Sequence, residues 1–225
     1  MIQILYMCYQ SRGAALNKHA KGPRMQLSLE NKICEQAKAT FPTERRLELA
    51  GQNILIGVGE DIGREGLRRT PERFAKAVAE LCSGYKLSVA DVVGQGVFAA
   101  EGRGLVTVRD VELHSLCEHH MLPFWGKASV AYFPDRKILG LSKIPRIIDC
   151  FARRLQVQER LTREVAEGIV AAIAPRAVAV RITAEHMCMR MRGVEKQGGA
   201  TVTEFVLGED QLTASERERL WSSIS

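Results

Sequence analysis

The stretch "ELHSLCEHHMLPF", residues 112–124, connects two runs of apolar and β-branched residues and carries most of the candidate chemistry of this chain. It holds Cys117, Glu118, His119 and His120 in a row, and it contains three of the five histidines. Residues three apart can face the same side of a tight turn, whereas neighbouring side chains diverge. The spacing predicts that Cys117 and His120 can share one metal ion and that His119 points elsewhere.

A second cluster lies in "EHMCMRMRGV", residues 185–194, where His186 and Cys188 are two positions apart. Residues 178–189 are predicted to form a strand, and its period of two places His186 and Cys188 on one face. Two thiolates and one imidazole suit a tetrahedral zinc with an open fourth position. If His186 were the fourth ligand, the site would instead be a closed, structural Cys2His2 centre. Spacing alone does not choose between these two sites.

The rest of the chain predicts helices before and between strands. Thr70 is expected to cap a helix that ends at Gly84, and Ser142 and Pro175 are expected to bound a helical region with a break near residues 155–157. Earlier helices are predicted around Pro42, one before it and one over residues 47–58. Strands are predicted at 105–113, 127–133, 178–189 and 201–207. This order predicts an α+β fold with an antiparallel sheet backed by helices.

Composition narrows the class of protein. The net charge is +6, hydrophobic residues make up 46%, and no apolar run approaches the ~20 residues that a membrane span needs. The chain contains no nucleic-acid-binding motif, and its six cysteines are scattered rather than arranged as a disulfide framework. We therefore expect a reduced, cytoplasmic protein with no nucleic-acid or membrane partner.

The N-terminus differs from the rest of the chain. No acidic residue precedes Glu30, while Arg12, Lys18, Lys21 and Arg24 are basic, a pattern that a transit peptide would share. We favour a poorly ordered extension over residues 1–30, upstream of a start at Met25. The catalytic domain is then expected over residues 31–225, with N-terminal helices to about residue 84 and the core over about 85–225.

Four segments together resemble the GTP cyclohydrolase I family: "GREGLRRTPERFAKAV" (63–78), "LHSLCEHHMLPFWGKASVAYFP" (113–134), "ILGLSKIPRIIDCFARRLQVQERLT" (138–162) and "EHMCMRMRGV". The resemblance covers about residues 45–210. It implies the T-fold (tunnelling fold), a toroidal homodecamer of two pentamers, and active sites between subunits. It also implies conversion of GTP to 7,8-dihydroneopterin triphosphate and formate, the entry step to tetrahydrofolate or tetrahydrobiopterin.

The resemblance also assigns roles to residues. Cys117, His120 and Cys188 become the zinc ligands, and the fourth position belongs to water rather than to a protein side chain. His119 becomes the acid–base group that protonates the guanine ring nitrogen. His186 becomes a group that hydrogen-bonds the water and moves protons.

Substrate contacts follow in the same way. Glu159 is implied to accept both donors of the guanine edge, with Gln158 beside it, although the residues alone are typical of a solvated helix in which Glu159 pairs with Arg163. The triphosphate is expected to meet a helix start and nearby cations. The implied substrate-contact set also contains Leu141, Ser142, Lys143, Arg146, Val157 and Arg192.

Two alternatives compete with this interpretation. One is the nitrile reductase of queuosine synthesis, which shares the fold but uses a cysteine nucleophile and a nicotinamide cofactor without zinc. The other is a non-catalytic module that zinc stabilises, with His186 as the fourth ligand.

Overall fold

A computed structural model describes residues 43–225 of the chain. The helices are α1 (Thr43–Gly57), α2 (Thr70–Leu81), α3 (Val89–Val93), α4 (Lys143–Ala152), α5 (Gln158–Ile173), α6 (Met187–Arg190) and α7 (Ala214–Ile224), with 3-10 turns at Ser83–Lys86 and Glu209–Gln211. The strands are β1 (Val97–Ala99), β2 (Val106–Cys117), β3 (Pro123–Phe133), β4 (Lys137–Leu139), β5 (Leu155–Gln156), β6 (Ala177–His186) and β7 (Thr201–Leu207).

Five strands form one sheet in the order β5-β2-β3-β6-β7, and β1 and β4 form a separate two-stranded ribbon. All neighbours in the sheet are antiparallel except β5, which runs parallel to the end of β2. The register aligns Leu116 with Pro123 and Phe124 with His186. The end of β2, the start of β3 and the end of β6 therefore lie side by side.

Helices α4 and α5 cover one face of this sheet and form the main core with it. The apolar positions of the helices recur every three or four residues, and every second residue of β6 from Val178 to Ala184 faces the helices. The central residues are Ile144, Ile147 and Ile148 of α4, Leu161, Val165 and Ile169 of α5, and Val178, Val180 and Ile182 of β6, all essentially inaccessible to solvent.

A second apolar cluster joins α7 to one end of the sheet. Leu220 and Ile224 of α7 pack with Phe133 and Ala179 on β3 and β6. Thr213 and Glu216 form a capping box at the start of α7, and Glu216 also accepts two hydrogen bonds from Arg176 at 2.9 and 3.2 Å. The sequence interpretation did not include this helix.

The architecture confirms the predicted α+β T-fold class. All four predicted strands are present: β7 has the predicted bounds, and the other three have shifted ends. The prediction of helices flanking a break near residues 155–157 is also confirmed, but the break contains the short strand β5, which was not predicted. The extension over residues 1–30, the start at Met25 and the helix before Pro42 lie outside the described residues. Within residues 43–225, no helix is both long and apolar enough to cross a membrane.

Of three predicted helix ends, the start of α4 at Ser142 is right in position, whereas the cap of α2 at Thr70 and the end of that helix at Gly84 are wrong. Arg69, not Thr70, occupies the cap position of α2, and the Thr70 hydroxyl donates to the carbonyl of Gly66 at 3.4 Å instead of capping the helix. Ser142 stands at the cap position of α4 but makes no capping bond through its side chain. Gly84 lies inside a 3-10 turn after α2, where a Cβ atom would lie 2.5 Å from the carbonyl of Cys150, so close packing on α4 requires this glycine.

We predict that the Arg176–Glu216 pair stabilises the fold in a pH-dependent way. The Arg176 guanidinium, helped by the backbone N–H of Thr213, lowers the pKa of Glu216 from 4.5 to about 2. Because the pKa is lower in the folded state, this stabilisation is present above about pH 4.5 and is lost as the pH falls toward 2. Glu216→Gln should therefore lower the melting temperature at neutral pH, and the difference from wild type should shrink below pH 4.5.

Thermal unfolding measured from neutral pH to about pH 3 checks this. Glu218→Gln, an exposed change on the same helix, is the control and should melt like wild type throughout. A difference between wild type and Glu216→Gln that stays constant over this range would contradict the prediction.

Candidate active site

The turn between β2 and β3 brings the first cluster together. Cys117, the last residue of β2, is buried in the main core, while Glu118, His119 and His120 are exposed on the turn. The turn closes through a bond from the Cys117 N–H to the carbonyl of Leu122 at 2.9 Å, and Met121 has a left-handed backbone with φ of 56°. This reversal folds the histidines back toward the thiol.

Arg160 ties this turn to the start of α5. Its guanidinium forms an ion pair with Glu118 and donates to Gln156 Oε1 at 2.8 Å and to the carbonyl of Leu155 at 3.0 Å. The Glu118 N–H also donates to the carbonyl of Gln156 at 3.0 Å. The Arg160 guanidinium holds the pKa of Glu118 below its usual value. The sequence predicted no role for Arg160, because the only indication was its position next to Glu159, the residue assigned to guanine.

The second cluster joins the first, but not in the predicted way. Strand β6 ends at His186, and Cys188 lies in the short helix α6, so the prediction of a strand through Cys188 is wrong. A helical turn after the strand swings the thiol across to the β2 end. As a result, one ligand atom from each of Cys117, His120 and Cys188 lies within 4.8 Å of the other two.

These three residues fit a zinc ion by the chemistry of their donor atoms. Two thiols and an imidazole are ligands that zinc prefers, and their ligand atoms converge closely enough for the group to hold one ion. In the described part of the chain, this is the one group of three or more such side chains with converging ligand atoms. Burial, followed by the neighbouring Cys117 thiol, raises the pKa of Cys188 above its usual value.

His119 does not point away from the thiol as expected. Its Nδ1 atom lies 3.8 Å from Cys117 Sγ, about as close as the Nδ1 of His120 at 3.9 Å. The two rings are 6.2 Å apart and nearly perpendicular. The two histidines differ in their position relative to Cys188, because only His120 belongs to the group that includes both thiols.

His186 lies beside this group and is held by other partners. Its ring stacks on Phe124 with centroids 4.5 Å apart and planes 8° from parallel, and its Nε2 atom is 2.8 Å from Gln158 Oε1. Burial lowers the pKa of His186, while the nearby charge of Glu159 opposes that shift. His186 is not in the converging group, which argues against a closed Cys2His2 centre.

The two adjacent residues assigned to guanine binding face different surroundings. Gln158 is 2% exposed, and its side-chain amide bonds to β6, β7 and His186, so it is not available to a ligand in this arrangement. Glu159 is exposed and forms no ion pair with any residue in 43–225. The predicted pair between Glu159 and Arg163 is absent there, because Arg163 pairs with Glu167 instead.

The residues assigned to the triphosphate do not all lie near the metal ligands. Arg192 follows α6, and its charge acts on Cys188, so it is close to the cluster. The start of α4 carries Ser142, Lys143 and Arg146. Leu141, which is 68% exposed, lies beside them, and Val157 precedes α5. Lys143 packs across Gly96, where a Cβ atom would lie 2.1 Å from the lysine stem, and its Nζ donates to the carbonyl of Val92 at 3.3 Å.

The start of α4 is at the opposite end of the sheet from the cysteines. The N–H of Leu139, just before α4, donates to the hydroxyl of Tyr132 at 3.2 Å. Tyr132 pairs with Val106, the first residue of β2, whereas Cys117 is the last. At about 3.3 Å per residue, these ends of β2 are roughly 35 Å apart. One chain therefore does not bring Lys143 and Cys117 into one pocket.

Known proteins resemble this chain over most of its length. A sequence model of GTP cyclohydrolase I matches residues 47–225. The chain is 50% identical over 187 residues to "GTP cyclohydrolase 1 1" of Pseudomonas putida, which covers 82% of this chain and 98% of that protein. It is 54% identical over 178 residues to "GTP cyclohydrolase 1" of Deinococcus radiodurans, which covers 79% of this chain and 82% of that protein. Among solved structures, an archaeosine synthase QueF-Like in the apo form matches with a TM-score of 0.39 and 20% identity, covering 48% of this chain and 97% of that one.

We predict that the two adjacent histidines separate on mutation. His120→Ala should lose the bound metal, because only this imidazole converges with both thiols. His119→Ala, the matched control, should keep close to one zinc per chain although its ring is equally near Cys117. Elemental analysis of the purified proteins measures this. Loss of metal in His119→Ala with retention in His120→Ala would reverse the assignment.

Proposed function

The chain belongs to the GTP cyclohydrolase I family, and we propose that it converts GTP and water to 7,8-dihydroneopterin triphosphate and formate. The observation that carries this proposal is the convergence of Cys117, His120 and Cys188 beside a histidine that other residues hold outside the group. The product would enter tetrahydrofolate or tetrahydrobiopterin synthesis, and we propose the cytoplasm as the site of the reaction.

In this proposal Cys117, His120 and Cys188 hold zinc. When bound, the ion would act as a Lewis acid that activates water near neutral pH. The three ligands come from the end of β2, the turn after it and helix α6, so the sheet fixes their relative positions. The Arg160–Glu118 pair holds the turn from outside. Ligands positioned by rigid elements need little rearrangement when the ion binds.

Two histidines handle the protons in this scheme. His119 has a 64% exposed side chain on the turn, where it can reach a substrate and donate a proton to the ring nitrogen as the imidazole ring of guanine opens. His186 is half-buried against Phe124, and its lowered pKa favours a neutral imidazole that can accept a proton. One exposed and one sheltered imidazole suit the donor and acceptor roles of general acid–base catalysis.

Glu159 is the proposed guanine contact. The ring N–H and exocyclic amine of guanine are adjacent donors, and a carboxylate can accept both in a charge-assisted pair. Glu159 is exposed, is near enough to His186 to affect its pKa, and has no cationic partner among residues 43–225. These features favour a ligand-binding role for the Glu159 carboxylate over the alternative, a solvated residue on the helix surface.

The triphosphate contacts support an assembly of several chains. Arg192 is near Cys188, but Ser142, Lys143 and Arg146 stand at the opposite end of the sheet. These residues can serve one substrate only if a second copy supplies them to the metal cluster of the first. We therefore propose a homo-oligomer with active sites between subunits, in the form of a decamer of two pentamers.

An assay with GTP tests the proposed function. Zinc-loaded protein should release formate from GTP and yield a pterin that fluoresces after oxidation, and Cys117→Ser should do neither. Zinc-loaded protein that gives no formate would favour the non-catalytic zinc-stabilised module. Activity that depends on a nicotinamide cofactor rather than on zinc would favour the queuosine-pathway enzyme.

We predict that Glu159→Ala weakens GTP binding without loss of metal. Removing the acceptor of two donors costs about 2 kcal/mol or more when the bound guanine is shielded from water, which is roughly 30-fold in Kd. Calorimetric titration with GTP and zinc analysis measure the two quantities. Glu167→Ala, an exposed change two turns along the same helix, is the control and should bind normally. Equal GTP affinity in Glu159→Ala and wild type would contradict this role and favour Glu159 as a solvated residue of the helix surface.

A further inference from the structure

Gln158 occupies a position that its assignment to substrate binding does not explain. It is the first residue of α5, it is 2% exposed, and it lies between His186 and strands β6 and β7. A buried amide needs a partner for each polar atom. Here every polar atom of the side chain meets one, and the pattern of partners fixes which way the amide faces.

The NH2 group of Gln158 must point to the sheet. Its Nε2 atom lies 3.0 Å from the carbonyl of Ile182, 2.9 Å from that of Thr201 and 3.1 Å from the hydroxyl of Thr203. Main-chain carbonyls only accept hydrogen bonds, so the atom facing them must be a donor. The Oε1 atom is then left to face His186 Nε2 at 2.8 Å, and it can only accept.

A second set of contacts leads to the same orientation. Thr162 donates its single hydroxyl proton to the main-chain carbonyl of Gln158 at 2.7 Å. The two hydroxyls of Thr162 and Thr203 are 2.6 Å apart, so Thr203 must be the donor in that pair. Thr203 then has only lone pairs to offer Gln158 Nε2. The hydrogen bonds therefore run in one direction from His186 through Gln158 and Thr203 to Thr162.

We propose that Gln158 is a positioning residue that holds His186 in the tautomer with its proton on Nε2. Because Gln158 Oε1 only accepts, neutral His186 donates from Nε2, and its Nδ1 carries the free lone pair. Stacking on Phe124 fixes the ring plane, so Nδ1 has one direction in which to accept a proton. The inference deepens the proposed function and rests on it for the role of His186 in moving protons.

The tautomer can be measured without substrate. Zinc-loaded full-length protein labelled with ¹⁵N-histidine contains five histidines, and magic-angle-spinning NMR separates protonated from unprotonated ring nitrogens for each. Loss of one pair of signals in His186→Asn assigns that residue. At about pH 8, where an ordinary histidine is neutral, we expect His186 in wild type to be protonated on Nε2 and bare on Nδ1.

Gln158→Met removes the amide while keeping most of the volume. It should yield a mixture of tautomers, lower kcat by roughly 10- to 100-fold, and leave zinc content and KM for GTP unchanged. Gln156→Met is the matched control. Gln156 is equally buried and bonds to Arg160, Glu164 and the carbonyl of Phe151, so its loss should leave the His186 tautomer as in wild type.

Two results would overturn the inference: a proton on Nδ1 of His186 in wild type, or an unchanged tautomer in Gln158→Met. If Gln158→Met does not fold, Gln158→Asn serves instead, because its amide is one methylene too short to hold both the sheet and the ring. The spectrum is independent of turnover. If the protein shows the expected tautomer but forms no formate from GTP, only the proposed function is wrong. If the enzyme is active but shows the opposite tautomer, only this inference is wrong.

Discussion

The candidate site depends on the pairing of β3 with β2 on one side and β6 on the other. Their register brings the end of β2 and the end of β6 to the first residues of β3, which places Cys117 and His186 beside Phe124. A slip of one residue would turn each strand's side chains to the other face of the sheet. The apolar face of β6, packed on α4 and α5, prevents such a slip, so the core that stabilises the fold also aligns the candidate ligands.

Two neighbouring residues at the start of α5 have different roles in the proposed site. Gln158 faces inward, where sheet carbonyls fix its amide, and Glu159 faces outward with no cationic partner in residues 43–225. Adjacent residues on a helix point about 100° apart, so one helix start can both orient a histidine and present a carboxylate. Arg160, one position further, holds the turn that carries the candidate metal ligands. Three successive side chains thus connect the core, the proposed substrate contact and the proposed metal site.

Much of the fold and part of the candidate site could be predicted from local sequence patterns. Alternation and helical periodicity predicted the four main strands and the helices around residues 142–175, and the Cys117-x-x-His120 spacing predicted two side chains on one turn. The rest depends on contacts distant in sequence. Cys188 reaches the cluster through a helical turn that the strand-like pattern hid, and the turn after β2 places the His119 ring beside the Cys117 thiol. Strand β5 has two residues and exists because β2 offers it an edge, while α7 is mostly polar and is stabilised by a small apolar area on the sheet.

In the proposed site, two thiolates and one imidazole hold zinc, while Gln158 and Phe124 keep His186 off the metal. Zinc K-edge X-ray absorption of the loaded full-length protein tests this arrangement most directly. We expect two sulfur ligands at ~2.3 Å and the scattering pattern of a single histidine, bound through nitrogen at ~2.0–2.1 Å. Two histidine ligands would contradict it, because His186 would then close the site.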